Sequence, residues 1–272
     1  MPRESSFTAT GMYFCAMQNR VPLSAVLITL NSERVLPEVL RALAWCDERV
    51  LVDSGSTDQT LAIAERAGCR ILHRSFDGFG TQKGYAVAAA RHDWVLVVDA
   101  DEVVTPELAD EIRRRVGQEP YVGYEVPISL VFLGRLMRGG EYKMPHLRLF
   151  NKQYGNYNTN RVHEDVVLTG TVGRLHHHML HDSYGSLHEY FEKFNRYTTA
   201  GAIDLLHRGK SGAGWQVAVR FPFTFLKEYL LKGNLLNGYA GLVWSLFSAM
   251  YPVAKYAKLR EMQRRKPAAP ES

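Results

Sequence analysis

The chain has 272 residues, enough for one sizeable domain with an appendage but not for two full cores. Apolar residues make up 46% and charged residues 22%, which excludes global disorder. The net charge of +5 sits at one end: residues 201–272 hold eleven Lys/Arg against four Asp/Glu, and residues 1–200 hold 22 against 24.

The first 22 residues contain Arg3, Glu4 and Arg20 and no continuous apolar core, so they read as an N-terminal extension and not as a signal peptide. Four apolar runs follow: Leu23–Leu30, Arg49–Val52, Arg70–Leu72 and Trp94–Val98. Continuous hydrophobicity is the pattern of parallel strands covered on both faces, and helical patterns between the runs make a βαβαβαβ order. Ser56-Thr57-Asp58 is positioned to cap the helix after Asp53. Thr105-Pro106-Glu107 supplies an N-cap, a first-turn proline and an acidic first turn. Right-handed crossovers bring the strand C-termini to one edge, where open α/β sheets bind ligands.

The fourth run ends in Asp99-Ala100-Asp101-Glu102. In an extended segment, residues two apart point the same way, so Asp99 and Asp101 would converge and repel unless a cation lay between them. Hard oxygen ligands suit Mg²⁺ or Mn²⁺. A strand-end acid pair can equally cap a helix or face solvent.

Gly78-Phe79-Gly80-Thr81-Gln82-Lys83-Gly84 could cradle phosphate with Lys83 adding charge, or be a loop with a solvated lysine. From Tyr121 to His181 the pattern loosens into short strands and Gly/Asn-rich loops. His176-His177-His178 and His181 invite a zinc reading, but consecutive strand residues alternate in direction, so three adjacent rings rarely meet one ion.

After Ser186 the chain turns helical. Gly233–Ala254 is uncharged for 22 residues but diluted by glycine, asparagine and Pro252, and it is flanked by aromatic and basic residues. That favours burial at a membrane interface over a span, with internal packing or a dimer contact as the alternative. Residues 264–272 read as a disordered tail. The cysteines Cys15, Cys46 and Cys69 form no CxxC pair, as in a reduced cytosolic protein.

Strand-Thr29-x-Asn31, strand-Asp53-Ser-Gly-Ser-Thr-Asp58 and strand-Asp99-Ala-Asp101-Glu102, in this order, resemble family 2 glycosyltransferases of the inverting GT-A type. The resemblance implies an α/β fold of Rossmann-like character: a mixed, mainly parallel sheet flanked by helices over residues 23–185. A C-terminal amphipathic helical extension over 186–263 follows. It implies a UDP-sugar donor, with Thr29, Asn31 and Asp53 on the nucleotide and Lys83 and Asp99 nearby, and a divalent metal on Asp99, Asp101 and His181. Inverting transfer needs a general base; the resemblance points to Glu164, with Asp165 next, although either could be a salt-bridged loop acid.

Val162-His163-Glu164, His181-Asp182-Ser183-Tyr184 and Lys193-Phe194-Asn195-Arg196-Tyr197 resemble bacterial lipopolysaccharide core β-1,4-glucosyltransferases. The partners implied are a lipid-linked saccharide acceptor and an anionic membrane surface, with no nucleic acid and a homo-oligomer admitted. The implied location is the cytoplasmic face of the cell membrane.

Two other enzyme classes fit less well. Dehalogenase-type phosphatases carry their Asp-x-Asp on the first strand, and sugar nucleotidyltransferases open with a glycine-rich loop that residues 29–34 lack. A catalytically silent scaffold is the non-enzymatic alternative.

Overall fold

The computed structural model describes residues 20–139, 142–158, 165–182, 184–211 and 214–265, with the side chains of 214–217 and 265 left aside. The chain divides into two compact units, residues 1–127 with 145–179 and residues 128–144 with 180–272.

In the first unit the four apolar runs form β1 (Leu23–Thr29), β2 (Glu48–Asp53), β3 (Arg70–His73) and β4 (Trp94–Asp99). All are parallel, in the order β3-β2-β1-β4. Successive side chains serve opposite faces. Leu23, Ala25 and Leu27 of β1 join Trp94, Leu96 and Val98 of β4 in one core cluster, whereas Val26, Val95 and Val97 join another. Helices cover each face. Leu36, Val39 and Leu40 of α1 (Leu36–Ala42) pack in the first cluster, and Ala86 and Val87 pack in the second. The covered, mainly parallel sheet expected from the sequence is therefore present.

Between β2 and β3 lies α2 (Thr60–Arg66), and between β3 and β4 lies α3 (Phe79–Ala89), which starts after Gly78 at φ 137°, a setting that L side chains rarely adopt. A short β5 (Glu102–Val104) leads to α4 (Pro106–Arg115), where Thr105 caps as expected, accepting from Leu108 N at 3.3 Å. The cap expected of Ser56-Thr57-Asp58 is different: Gln59 occupies the N-cap position without a side-chain bond, while Asp58 accepts from Thr60 N at 2.9 Å.

The region expected to hold only short strands contains a twelve-residue one, β6 (Tyr121–Phe132). After it come β7 (Arg135–Leu136) and β8 (Lys143–Asn151). β8 runs antiparallel to β4, with Leu96 opposite Leu149, and makes the sheet mixed. A hairpin of β9 (Gly155–Tyr157) and β10 (Val166–Leu168) follows, then β11 (Thr171–Arg174) beside β6 and β12 (Met179–His181).

The second unit is built on α5 (Leu187–His207), α6 (Gly214–Leu226), a π-helical turn over Lys227–Leu231, a 3₁₀ turn over Asn234–Asn237, and α7 (Gly238–Arg265). Phe132, Tyr142, Tyr190 and Ala240 form its core, with Tyr184, Trp244 and Phe247 against them. The uncharged stretch 233–254 is thus two elements, and among the described residues no helix is long and apolar enough to cross a membrane.

Candidate active site

The strand pairing aligns the sequence motifs at one edge. Thr29 is the register partner of Asp53, and Ile28 is the partner of Asp99, so both acids lie at the C-termini of the two strands that flank β1. There they are satisfied in opposite ways.

Asp53 is 1% exposed. Its Oδ1 accepts from Ser56 Oγ at 2.5 Å and Thr29 Oγ1 at 3.4 Å, and its Oδ2 accepts from Gly55 N at 2.9 Å and Ser56 N at 3.0 Å. Four donors match the roughly four lone-pair sites of a carboxylate. Burial alone would raise the carboxyl pKa, but these donors outweigh it and leave Asp53 below its ordinary value. Asn31 is tied to the same turn: its N donates to Ser56 Oγ at 2.9 Å and its Oδ1 accepts from Thr57 N at 2.8 Å.

Asp99 meets charges from distant parts of the chain. Lys83 Nζ lies 2.9 Å from Oδ1, and an Arg148 guanidinium nitrogen lies 2.7 Å from Oδ2. Arg148 also reaches Glu102 Oε1 at 2.9 Å, and Glu102 Oε2 accepts from Asp99 N at 2.9 Å. Desolvation pushes the Asp99 carboxyl up, yet Arg148 and then Lys83 overcome it and hold it well below the usual carboxylate range. Burial disfavours the charged form of Arg148 too, but Glu102 and Asp99 fix its charge. Tyr157, buried beside them, has its hydroxyl pushed up to about 12, chiefly by burial, and stays neutral.

The Glu102–Asp99 N bond ends the strand. The chain turns at Ala100 and Asp101, so the extended i, i+2 geometry expected of the two aspartates does not occur. Lys83 is no loop lysine: it lies on the second turn of α3 and is 5% exposed.

Lys83, Asp99, Arg148 and Tyr157 line a cavity of about 620 Å³, together with His146 and Asp165. Asp165 is exposed, and Glu164 lies outside the described residues. His181 ends β12 and falls in the second unit. In the run of three histidines, His176 Nδ1 lies 3.0 Å from Glu111 Oε1, and the backbone N–H groups of His176 and His177 also donate to Glu111.

The residues fit a divalent metal with a diphosphate. Mg²⁺ typically takes one or two carboxylates and completes its shell with water and phosphate oxygens; among the described residues no group of three or more His, Cys, Asp or Glu comes together, and Asp99 is paired with Lys83 and Arg148. Arg148 Nε is buried with no acceptor among the described residues, a polar group left for a partner to satisfy. Sequence reasoning missed Arg148, His146 and Tyr157. The one signal was an arginine inside the apolar run Leu147-Arg148-Leu149-Phe150, which a strand buries only with a partner.

The family model of Glycosyl transferase family 2 matches residues 24–174, more than half of the chain. Lipopolysaccharide core biosynthesis glycosyltransferase LpsC of Rhizobium meliloti is 31% identical over 259 residues, covering 88% of this chain and 92% of that protein. An uncharacterized glycosyltransferase of Rickettsia conorii is also 31% identical, over 88% of this chain and 90% of its own length. Among solved structures, glucosyl-3-phosphoglycerate synthase from Mycobacterium tuberculosis, in complex with Mn²⁺, UDP and glucosyl-3-phosphoglycerate, is 23% identical over 49% of this chain and 51% of that one. Its TM-score of 0.35 is too low to add to the sequence argument.

Proposed function

Because the chain belongs to glycosyl transferase family 2, we propose that it moves a hexose, glucose in the first instance, from a UDP-sugar with inversion to a lipid-linked bacterial glycan such as the lipopolysaccharide inner core. The similarity to a lipopolysaccharide core glycosyltransferase over almost the whole chain supports the acceptor. The observation that carries the reading is the cluster of Lys83, Arg148 and Asp99 facing one cavity at the strand edge. Two buried cations held in position by a carboxylate are a preorganised receptor for a diphosphate leaving group.

Asp101 with Asp99 would hold Mg²⁺ or Mn²⁺, and the ion would supply a Lewis acid that neutralises the departing diphosphate. Thr29 and Asn31 line the nucleotide side. Asp53, saturated by its own turn, serves recognition by fixing that turn. The acceptor oxygen forms its bond to the anomeric carbon from the face opposite UDP, the bond to the diphosphate breaks, and UDP leaves with the electron pair. Glu164 takes the hydroxyl proton, with Asp165, which lines the cavity, as the alternative base.

The test is sugar transfer from a panel of nucleotide sugars to truncated lipopolysaccharide, with and without chelator, alongside UDP calorimetry. Metal-dependent use of a UDP-hexose is expected. Glu164→Gln should abolish transfer while sparing UDP binding; full activity in that variant would hand the role to Asp165, and binding of UDP without turnover on any acceptor would leave only a scaffold.

A further inference from the structure

The usual arrangement of polar and apolar side chains is inverted where the second unit passes from α6 into α7. Asn234 and Asn237 are completely buried and Glu228 nearly so, while Leu230, Leu231, Leu235 and Leu236 between them face outward, Leu231 at 83% and Leu236 at 69% exposure. The buried groups are fully used. Asn234 Nδ2 donates to Tyr142 Oη at 2.6 Å and to Glu228 O at 3.0 Å. Asn237 accepts from Arg138 N at 2.8 Å and donates to Arg138 O at 3.0 Å. Glu228 pairs with Lys232 at 2.8 Å. The elbow is therefore pinned by side chains that cannot turn outward without losing their partners, and the leucines between them are held outward in consequence.

The apolar face continues backward at helical spacing. Val219, Phe223, Leu226 and Leu230 are each more than half exposed, and Tyr239 at 75% extends the face forward. A contiguous apolar surface of this extent on a soluble domain marks an interaction site.

Its rim decides the occupant. Arg220, Lys227, Arg135 and Arg138 are exposed, and the only acid between Lys210 and Glu261 is the buried, paired Glu228. A second copy docked face to face would bring the same cations together. An anionic bilayer complements both the leucines and the cations.

We propose that the elbow from Phe223 to Tyr239 is the element that inserts into the headgroup region of an anionic membrane. This moves the membrane contact off the uncharged length of α7, where Ala240, Ser245 and Ala249 are buried within the unit. The surface deepens the proposed lipid-linked acceptor and rests on it for its purpose, but binding is measurable without sugar.

The experiment sediments the full-length protein with vesicles of phosphatidylcholine containing phosphatidylglycerol, and with phosphatidylcholine alone. Anionic vesicles should bind, and Leu231→Asp combined with Leu236→Asp should weaken binding by about 30-fold or more. Lys227→Glu should weaken it by at least about five-fold, on anionic vesicles and at low salt. Met250→Ser, on the exposed side of α7, should change nothing. UDP affinity is the control for folding.

The proposal is overturned if the double leucine variant binds UDP and vesicles like the parent, if Met250→Ser releases the protein instead, or if the vesicle-free protein is a dimer that the leucine variant dissociates. Vesicle binding by a protein that transfers no sugar would sink the reaction proposed above while supporting this surface.

Discussion

Asp53 and Asp99 end adjacent-but-one strands of the same sheet and look alike in sequence, each an aspartate after a run of valine and leucine. Asp53 is satisfied by neutral donors from its own turn and its strand neighbour Thr29. Asp99 is satisfied by two cations, 16 and 49 residues away in the chain. Local neutral donors fix a loop and have nothing to offer an incoming anion. Cations borrowed from other elements can be shared with one, because a diphosphate offers them the same charge that the aspartate does. Under the proposed reaction the first acid would fix the turn at the nucleotide side, and the second would hold cations that a diphosphate can share.

Replacing the second acid should have the largest effect. In Asp99→Asn the ion pairs of Asp99 with Lys83 and Arg148 are lost, while Arg148 retains its pair with Glu102. Transfer should fall by about 10²–10³-fold, the scale of losing one preorganised electrostatic element, and folding stability by about 2–4 kcal/mol. Single-turnover kinetics and chemical denaturation measure the two. Activity near the parent level would mean that Asp99 is as architectural as Asp53.

Arg148→Met comes next. It removes one diphosphate donor and leaves Asp99 and Glu102 close together without their shared cation, so UDP should bind about 10–100-fold more weakly by calorimetry. Because Lys83 still neutralises Asp99, the loss should be smaller than for the double change with Lys83→Met. Additive effects of the two would show that the cations act independently of one another.

The sheet and its ligand edge were legible because strands buried on both faces announce themselves in runs such as Trp94–Val98, and the three strand-end motifs name their own positions. Lys83 was legible as a charge near a phosphate loop, but not as a buried partner of Asp99. Arg148 was not legible as a site residue because it reaches the cluster through β8, whose antiparallel pairing with β4 joins residues more than 50 apart. The turn at Ala100–Asp101 carries a hydrogen bond from Asp99 N to Glu102, and no spacing rule encodes that. The outward leucines at 230–236 read from sequence as part of an apolar stretch. Only the buried asparagines beside them reveal the direction.

The smallest effect sharpens the architectural side. Asp53→Asn keeps one oxygen acceptor but turns the other into an NH₂ group that faces donors, so the turn should loosen by about 1–2 kcal/mol. Its pH dependence identifies the cause. The folded carboxyl lies below its ordinary value despite burial, because the Ser56 hydroxyl, the Ser56 and Gly55 amides and Thr29 favour the charged form. A group depressed on folding contributes stability that is complete above its unfolded pKa of roughly 3.9 and is lost as pH falls through the folded value. The stability gap between parent and Asp53→Asn should therefore stay constant from neutral pH to about pH 5 and close below about pH 4. Urea melts across that range read it directly. A gap that persists undiminished in acid would mean that shape, and not the charge of Asp53, holds the turn, and the contrast with Asp99 would then rest on the cations alone.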